Sequence, residues 1–319
     1  VGGPGGMVVP GAGRLLTAPS AGPGQSFGAA ALEVAPTFER DLRDIIRIDP
    51  RVSLDRNQES DRVSCLGGND RANAFTVDGI SQSDVYGLTD TPFSSRTGTP
   101  IPYDAIRETS VEFAPSSVTY GSFTGCAINA VTKSGTNEIK GSAFVTYSNL
   151  DMAGSKIAGQ AANGVDKDLR YGFTLGGPII KDRLFLFGAY EHVDVRDTQE
   201  YGPAGAGFVN ERAFMTEAQF NAVSDVLKTK YGIDTGGIGR ILPFESDRYF
   251  LRADAYITED HRLEATFQHI DEAKVQSDDM NTASGSNTVT GYNNFYSSGS
   301  KSNYYSGRLY SNWSDNFST

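Results

Sequence analysis

Apolar and polar residues alternate along six stretches in the second half of the chain, and this pattern predicts six β-strands. The predicted strands cover residues 139–149, 168–177, 183–195, 247–258, 261–271 and 303–313. In the fourth strand, Tyr249, Leu251 and Ile257 lie on one face, whereas Arg252 and Asp254 lie on the other. Strands that face lipid on one side show such alternation, but so does a sheet that covers a soluble core.

The links between these strands alternate in length. Short turns at 178–183 and 258–261 separate long links of roughly 20, 50 and 30 residues. Outer-membrane barrels have this arrangement, with short turns at one end and long loops at the other, so the links favour a transmembrane barrel. The third long link, 277–303, is rich in Ser, Asn and Gly, and we expect it to be a solvated loop.

The longest link also contains a helix signal. Thr216 and Gln219 have the spacing of a capping box, and Gly232 supplies a stop. The apolar residues of the predicted helix share one face: Phe220, Val223 and Leu227.

The first half of the chain has a different character. Residues 1–34 are rich in Gly, Pro and Ala, which predicts a flexible segment. Residues 35–137 predict a compact α+β domain, and residues 138–319 form the strand-rich remainder. Within 35–137 the pattern predicts a helix that begins at Thr37 with Phe38, Leu42, Ile45 and Ile46 on one face, a short helix at 103–108, and strands at 62–65, 74–77, 109–113 and 127–131.

Composition excludes several classes of function. The net charge is −11 without clusters of Lys or Arg, so we expect no nucleic-acid partner. No apolar run approaches the roughly 18 residues of a spanning helix. Three His and two Cys make a metal site improbable, and no nucleophile lies near a base in a recognisable motif, so we expect neither a cofactor nor an enzyme. The two cysteines, Cys65 and Cys126, are either free core thiols or a disulfide.

The extent of the chain also limits the interpretation. It opens at Val1 without a Met, and six strands cannot close a wide barrel without leaving open edges in lipid. We therefore expect it to be a fragment of a longer protein.

Several motifs resemble the plug domain of TonB-dependent outer-membrane receptors. The stretches 102–108, 111–115 and 125–137 resemble the second half of that plug, and Asn73 to Gly79 resembles its Asp-Gly turn. Residues 129–137 are similar to the Oar-like branch of the family. The residues that match the plug motif are Asp78, Gly79, Gly121, Gly125, Asn129, Thr132, Lys133 and Gly135. We expect close backbone approaches and positive φ at Gly121, Gly125 and Gly135.

The resemblance implies an α+β plug followed by the first antiparallel strands of a transmembrane β-barrel that has 22 strands in the family. It implies a place in the outer membrane of a Gram-negative bacterium, in contact with lipid and with the plug open to the periplasm. It also implies energised uptake of a scarce or large substrate of unknown identity, driven by the TonB–ExbB–ExbD complex through an N-terminal segment.

Two positions depart from the family pattern, and both are cysteines. Cys126 stands where the family usually repeats glycine, and Cys65 stands where a plug often carries Arg before glycine. From these paired departures we predict a disulfide between Cys65 and Cys126.

Candidate substrate contacts lie between the Asp-Gly turn and the following proline-rich segment. Asp84, Tyr86 and Arg96 offer an acid, an aromatic ring and a base there. The same residues could instead hold the plug against the barrel wall.

A different class of protein, a secreted or surface β-rich adhesin that binds glycans, also fits the composition. The outward faces of the strands distinguish the two. A barrel requires that these faces be exposed to lipid, with Trp313 at an interface. The residues concerned are Leu251, Leu263, Phe267 and Leu309.

Overall fold

The computed structural model describes residues 24–319 except 36, 38, 57–60, 85–92, 96–97, 114–120, 122, 155, 158–159, 162–163, 278–287 and 315. The first part of the chain has the elements β1 (Gly24–Phe27), α1 (Ala29–Val34), α2 (Leu42–Ile46), β2 (Val52–Arg56), β3 (Asp61–Cys65), β4 (Ala74–Val77), β5 (Ile80–Ser81), β6 (Ile106–Glu112) and β7 (Ala127–Thr132). The second part has β8 (Lys140–Ser148), β9 (Lys156–Ile157), β10 (Gln160–Ala161), β11 (Val165–Ile180), β12 (Leu184–Thr198), β13 (Tyr201–Ala204), β14 (Asn210–Thr216), α3 (Glu217–Tyr231), β15 (Ile241–Tyr256), β16 (His261–Gln276), β17 (Tyr296–Ser314) and β18 (Phe317–Ser318). Single 3-10 turns lie at Asp70–Ala72, Tyr103–Ala105, Leu150–Met152 and Tyr292–Asn294.

A seven-stranded antiparallel sheet contains all six predicted long strands, in the order β18-β17-β16-β15-β12-β11-β8. The six strands are confirmed, and most are longer than the pattern indicated. The loop predicted for 277–303 is wrong from Tyr296 onward, because β17 begins there and pairs with β16 through Ser297 and Val275. Backbone pairing needs no apolar side chains, so a Ser-rich sequence can continue a strand that its partner already defines.

The two faces of this sheet differ in polarity. Leu251, Leu263 and Leu309 point outward with 55%, 41% and 52% of their surface exposed. The neighbouring inward residues Arg252 and Glu264 are buried. Charged side chains are therefore buried on one face while leucines are exposed on the other. This is the reverse of a soluble sheet and is the pattern of strands that face lipid.

A smaller five-stranded sheet, in the order β1-β6-β7-β4-β5, forms the plug against the inward face of the long sheet. Its central strand β7 runs parallel to β4 and antiparallel to β6. The four predicted short strands correspond to β3, β4, β6 and β7. The plug core consists of fully buried side chains, among them Ile45, Phe75, Val111 and Ile128.

Three boundaries in the plug differ from the prediction. Residues 24–34 form β1 and α1, although the whole of 1–34 was predicted to be flexible; residues 1–23 lie outside the described residues. The predicted helix begins after Asp41 rather than Thr37, because the Asp41 carboxylate accepts hydrogen bonds from the backbone and guanidinium of Arg43. Phe38 lies outside the described residues. The helix predicted at 103–108 is a single turn, and β6 begins at Ile106.

The longest link contains the predicted helix, α3. Thr216 and Gln219 make both hydrogen bonds of the capping box, and Gly232 ends the helix with φ 71°. Its predicted apolar face is only partly covered, since Phe220 is buried but Val223 is 52% exposed. Within the described residues, no helix has the length and hydropathy needed to cross a membrane.

Candidate functional site: the plug–barrel interface

The Asp-Gly turn joins β4 to β5, and Asn129 and Thr132 of the plug motif contact it. Asp78 and Gly79 have φ of 49° and 79°, so two successive positive φ values form the tight turn. The Asp78 carboxylate accepts hydrogen bonds from the backbone N (2.9 Å) and Oγ1 (2.7 Å) of Thr132. The side-chain oxygen of Asn129 accepts from the backbone N of Gly79 at 3.1 Å. These contacts bind the turn to the central strand β7.

A cluster of buried charges on the barrel wall faces this turn. The Arg252 guanidinium lies 3.6 Å from the Asp78 carboxylate and donates a 3.0 Å hydrogen bond to Oγ1 of Thr132. It also forms ion pairs of 2.8 Å with Asp254 and Glu264. Arg252 therefore joins the plug to two adjacent strands of the wall.

Two further arginines complete this charge cluster. Arg262 pairs with both Asp254 and Glu264, and Arg308 donates to the backbone carbonyl of Asp78. The cluster thus contains three arginines and three carboxylates, and it borders a cavity of about 260 Å³. Equal numbers of opposite charges explain how so many ions can be buried together.

The motif glycines behave differently from one another, and the expected positive φ occurs at none of Gly121, Gly125 and Gly135. A Cβ on Gly135 would lie 2.5 Å from the carbonyl oxygen of Leu186 and 2.9 Å from that of Gly177, so this residue lets the chain pass close to the barrel wall. A Cβ on Gly125 would collide with the Asn73 side chain, whereas one on Gly121 would meet no described atom within 4 Å. Lys133, next in the motif, uses its backbone N to bond to the carbonyl of Ala105 at 2.7 Å.

A second attachment centres on a buried glutamate of β12. Glu191 is 1% exposed and accepts 3.1 Å hydrogen bonds from the backbone N of Tyr103 and from the Arg248 guanidinium. The hydroxyl of Tyr103 donates to the carbonyl of Leu32 in α1 at 2.8 Å. Burial raises the pKa of this phenol, so it remains a neutral donor. Tyr103 therefore links α1 to the barrel wall.

A third attachment holds the stretch that was predicted to contact substrate. Gln268 on β16 donates to the side-chain oxygen of Gln82 and to the carbonyl of Pro100, both at 2.9 Å. Ser95 donates to Glu272, two inward positions further along β16, at 2.9 Å. The stretch is thus fixed to the wall at both ends.

The three predicted contact residues are not brought together in the described structure. Asp84 is half-buried and lies two residues after Gln82, which is hydrogen-bonded to β16. Tyr86 and Arg96 lie outside the described residues. Their role therefore remains a prediction.

The predicted cysteine pair is joined in the structure. Cys65 and Cys126 form a disulfide with an S–S distance of 2.04 Å and a Cα–Cα distance of 6.0 Å. Asn73 bridges the same two places by hydrogen bonds, since its amide donates to the carbonyl of Val63 (2.7 Å) and accepts from the backbone N of Cys126 (3.0 Å).

Sequence reasoning missed the partners on the barrel wall. The polarity pattern placed Arg252 and Asp254 on the inward face, but it could not indicate that Arg252 meets Asp78. That contact joins residues far apart in the chain and depends on the register of β15 against β16, where Arg252 pairs with Thr266. An inward arginine on a predicted barrel strand was the available signal.

A small plug sheet held by buried polar contacts on the inward face of long antiparallel strands is the architecture of TonB-dependent outer-membrane receptors. Residues 131–231 match the family model of an outer membrane beta barrel domain. The chain is 31% identical over 137 residues to the TonB-dependent transporter Oar of Myxococcus xanthus, which covers 40% of this chain and 12% of that protein.

Solved structures show the same fold. The outer membrane transporter YddB from Escherichia coli matches with a TM-score of 0.59 and 13% identity over 91% of this chain and 37% of its own. The siderophore receptor PirA from Acinetobacter baumannii matches with a TM-score of 0.58 and 19% identity over 92% and 38%. The chain thus spans much less than half of these relatives. The matches confirm the TonB-dependent receptor fold and the outer membrane as its location.

Proposed function

We propose that the protein mediates energised uptake of a scarce or large substrate across the outer membrane, with residues 35–137 as a plug that closes the lumen of the barrel begun by residues 138–319. The observation that carries this proposal is the polar attachment of plug to wall. Buried ion pairs and hydrogen bonds, such as Arg252 to Thr132 and Tyr103 to Glu191, hold the two parts together. Polar groups of this kind regain hydrogen bonds with water when the parts separate, so the interface can open without exposing a large apolar surface.

The energising partner in this proposal is the TonB–ExbB–ExbD complex, which would act on the N-terminal segment. The outward leucines of the barrel strands would contact lipid. Asp84, Tyr86 and Arg96 are proposed substrate contacts, because they belong to a stretch whose two ends are fixed to β16. No catalytic step is assigned to the chain.

The adhesin alternative is less consistent with the sheet. An adhesin would need its leucine-rich face to be buried, yet Leu251 and Leu309 are more than half exposed while Arg252 on the other face is covered. In water this arrangement would be unfavourable on both faces.

Fractionation of cells that produce the full-length protein tests the proposal first. We expect recovery in the outer membrane and a mobility on denaturing gels that changes on boiling, as closed barrels show. Recovery in the secreted or soluble fraction, with no change on boiling, would refute it.

Deletion of residues 24–137 tests the role of the plug without any knowledge of the cargo. The shortened protein should leave an open lumen and sensitise cells to vancomycin, whereas the intact protein should not. A barrel that inserts normally but gives no sensitivity would contradict the plug role.

A further inference from the structure

We propose that the Cys65–Cys126 disulfide divides the plug into an N-terminal portion that can be pulled away and a core that stays closed on the barrel wall. The inference rests on the proposed function, in which force is applied at the N-terminal end of the plug. It assigns the removable portion to residues before Cys65 and the retained core to residues after it.

The disulfide joins the end of a hairpin to the centre of the plug sheet. Cys65 is the last residue of β3, and Cys126 directly precedes β7. Strand β7 is hydrogen-bonded to β6 on one side and to β4 on the other. Tension that travels along the backbone from the N-terminus therefore passes at Cys65 through the sulfurs into the central strand. The cysteines are 61 positions apart, and the chain between them carries no tension while the bond is intact.

The chain between Cys65 and Cys126, here called the enclosed chain, is held at its two ends by further contacts beside the disulfide. Asn73 holds Val63 and Cys126 by the two hydrogen bonds described above. Gly125 passes so close to Asn73 that a Cβ there would collide with its side chain. The Asn73 side chain and the disulfide therefore hold the same two parts of the chain together.

The enclosed chain also carries several of the plug's bonds to the barrel. The plug positions concerned are Asp78, Gln82, Ser95, Pro100 and Tyr103. Their barrel partners lie on four strands, β12, β15, β16 and β17, with Arg252 of β15 reaching Asp78 by an ion pair. The enclosed chain is attached at many positions and carries no tension itself, so it resists removal.

The N-terminal portion is held mainly through the plug itself. Strand β1 forms four pairs with the edge strand β6, from Gly24 with Glu112 to Phe27 with Thr109. The N-terminal portion also contacts the wall through Arg40, whose guanidinium lies 4.0 Å from Glu191 and 3.5 Å from the centre of the Phe144 ring. Removal of this portion would vacate the space beside the wall, while the predicted substrate stretch stays in position.

Single-molecule pulling on the purified full-length protein, reconstituted in lipid nanodiscs with a handle at the N-terminus, tests this division. Release of residues 24–65 should lengthen the tether by about 140 Å, given roughly 3.4 Å per extended residue. The force should then rise before any further release. A matched Cys65→Ser/Cys126→Ser variant should not stop there, and should release about 200 Å more from the 61 further positions.

A second measurement avoids any folding defect of the serine variant. The oxidised protein is pulled to the pause, where Cys65 has become accessible, and a reductant is then added. Cleavage of the disulfide should release the same additional length of about 200 Å. The inference is overturned if the oxidised protein shows no pause after Cys65, if the serine variant pauses there too, or if the reductant releases nothing.

These outcomes can be separated from the failure of the proposed function. A pause at Cys65, together with a plug deletion that gives no vancomycin sensitivity, would leave the division standing and refute the plug role in the uptake proposal. A missing pause in a protein that gives a plugged outer-membrane barrel would refute only the division.

Discussion

Replacement of Asp78 by Asn should destabilise the plug by about 2 kcal/mol. The change preserves size and tolerates the positive φ of 49° at this position, so the turn can still form. What it removes is the charge that accepts from the backbone N and hydroxyl of Thr132. A hydrogen bond to a charged group is worth roughly 1 kcal/mol more than one to a neutral group, and two such bonds are affected. Three arginines, of which Arg252 and Arg262 are buried, would then face two carboxylates, which adds to the loss.

The expected loss can be measured by urea titration of the purified full-length protein in detergent. Hydrogen exchange of the peptide that contains β7 reports opening of the plug, because the amide of Thr132 is bonded directly to Asp78. With a slope of roughly 2 kcal/mol per molar urea, a loss of about 2 kcal/mol lowers the midpoint by about 1 M.

Asp182→Asn is the matched control. Asp182 also has a positive φ, 62°, but it is exposed in the turn between β11 and β12, where it accepts from Asn137. Its replacement should change stability by less than about 0.5 kcal/mol. Equal midpoints for the two variants would refute the argument that the charge of Asp78 holds the plug.

Three further predictions concern other parts of the chain. Gly135→Val should abolish correct joining of plug to wall, because its Cβ would lie 2.5 Å from a backbone carbonyl of β12 that cannot move aside; cells that produce the variant should become sensitive to vancomycin. Leu251→Arg should lower the folding free energy in lipid by roughly 2–4 kcal/mol if the residue lies near the bilayer midplane, measured by urea-dependent folding into vesicles. The pKa of Asp49 is lowered by the hydrogen bond from Arg51, so this pair stabilises the plug above about pH 4, and the stabilisation is lost as pH falls through the lowered pKa. Protection of the α2 amides from hydrogen exchange should therefore decline in acid, and Asp49→Asn should flatten that decline.

Each of these predictions has a control in the chain. Gly121→Val should not sensitise cells to vancomycin, since a Cβ at Gly121 meets no described atom within 4 Å. Val226→Arg, on the exposed side of α3, should leave folding in lipid unchanged. For the response to acid, Asp166→Asn, at the exposed start of β11, should retain the decline in α2 protection of the parent protein. A control that behaves like its partner would remove the physical reason given for that prediction.

The barrel strands could be predicted from sequence because each position obeys a local rule. An outward residue meets lipid and an inward residue meets the polar lumen, so the alternation of Leu251 with Arg252 follows from position alone. The helix α3 could be predicted for a similar reason. Its capping box and its terminal Gly232 act within a few residues of the helix ends, whatever lies around them.

The elements that were missed depend on distant partners. Strand β1 is only four residues long in a Gly-rich segment, and it exists because β6 offers a free edge. The start of α2 was misplaced because Thr37 and Asp41 are both good capping residues. The choice is made by Arg43, which is fully buried and bonds to the Asp41 carboxylate. Neither outcome is visible in local pattern.

In the candidate site, too, local features could be predicted from the sequence and distant contacts could not. The motif residues Asp78 and Thr132 were identified by resemblance, and their mutual contact lies within the plug. The arginines that meet them were recognised only as inward residues, because the pairing of β15 with β16 decides which of them reach the turn. The structure therefore adds what the resemblance lacked, namely the wall of the barrel as a chemical partner of the motif.

The balance of charge at this interface explains why it can both seal and separate. Arg252 would be costly to bury alone, but it is neutralised by Asp254 and Glu264 of the wall, at 2.8 Å each, as well as by Asp78 of the plug at 3.6 Å. When the retained core is also released, as cleavage of the Cys65–Cys126 disulfide would allow, the arginine keeps the two closer partners, so departure costs one longer ion pair and a few hydrogen bonds rather than an orphaned charge. An interface built with its strongest pairs inside the wall, and its weaker pair across the boundary, holds the plug core in place and can still separate once the disulfide no longer protects that core from tension.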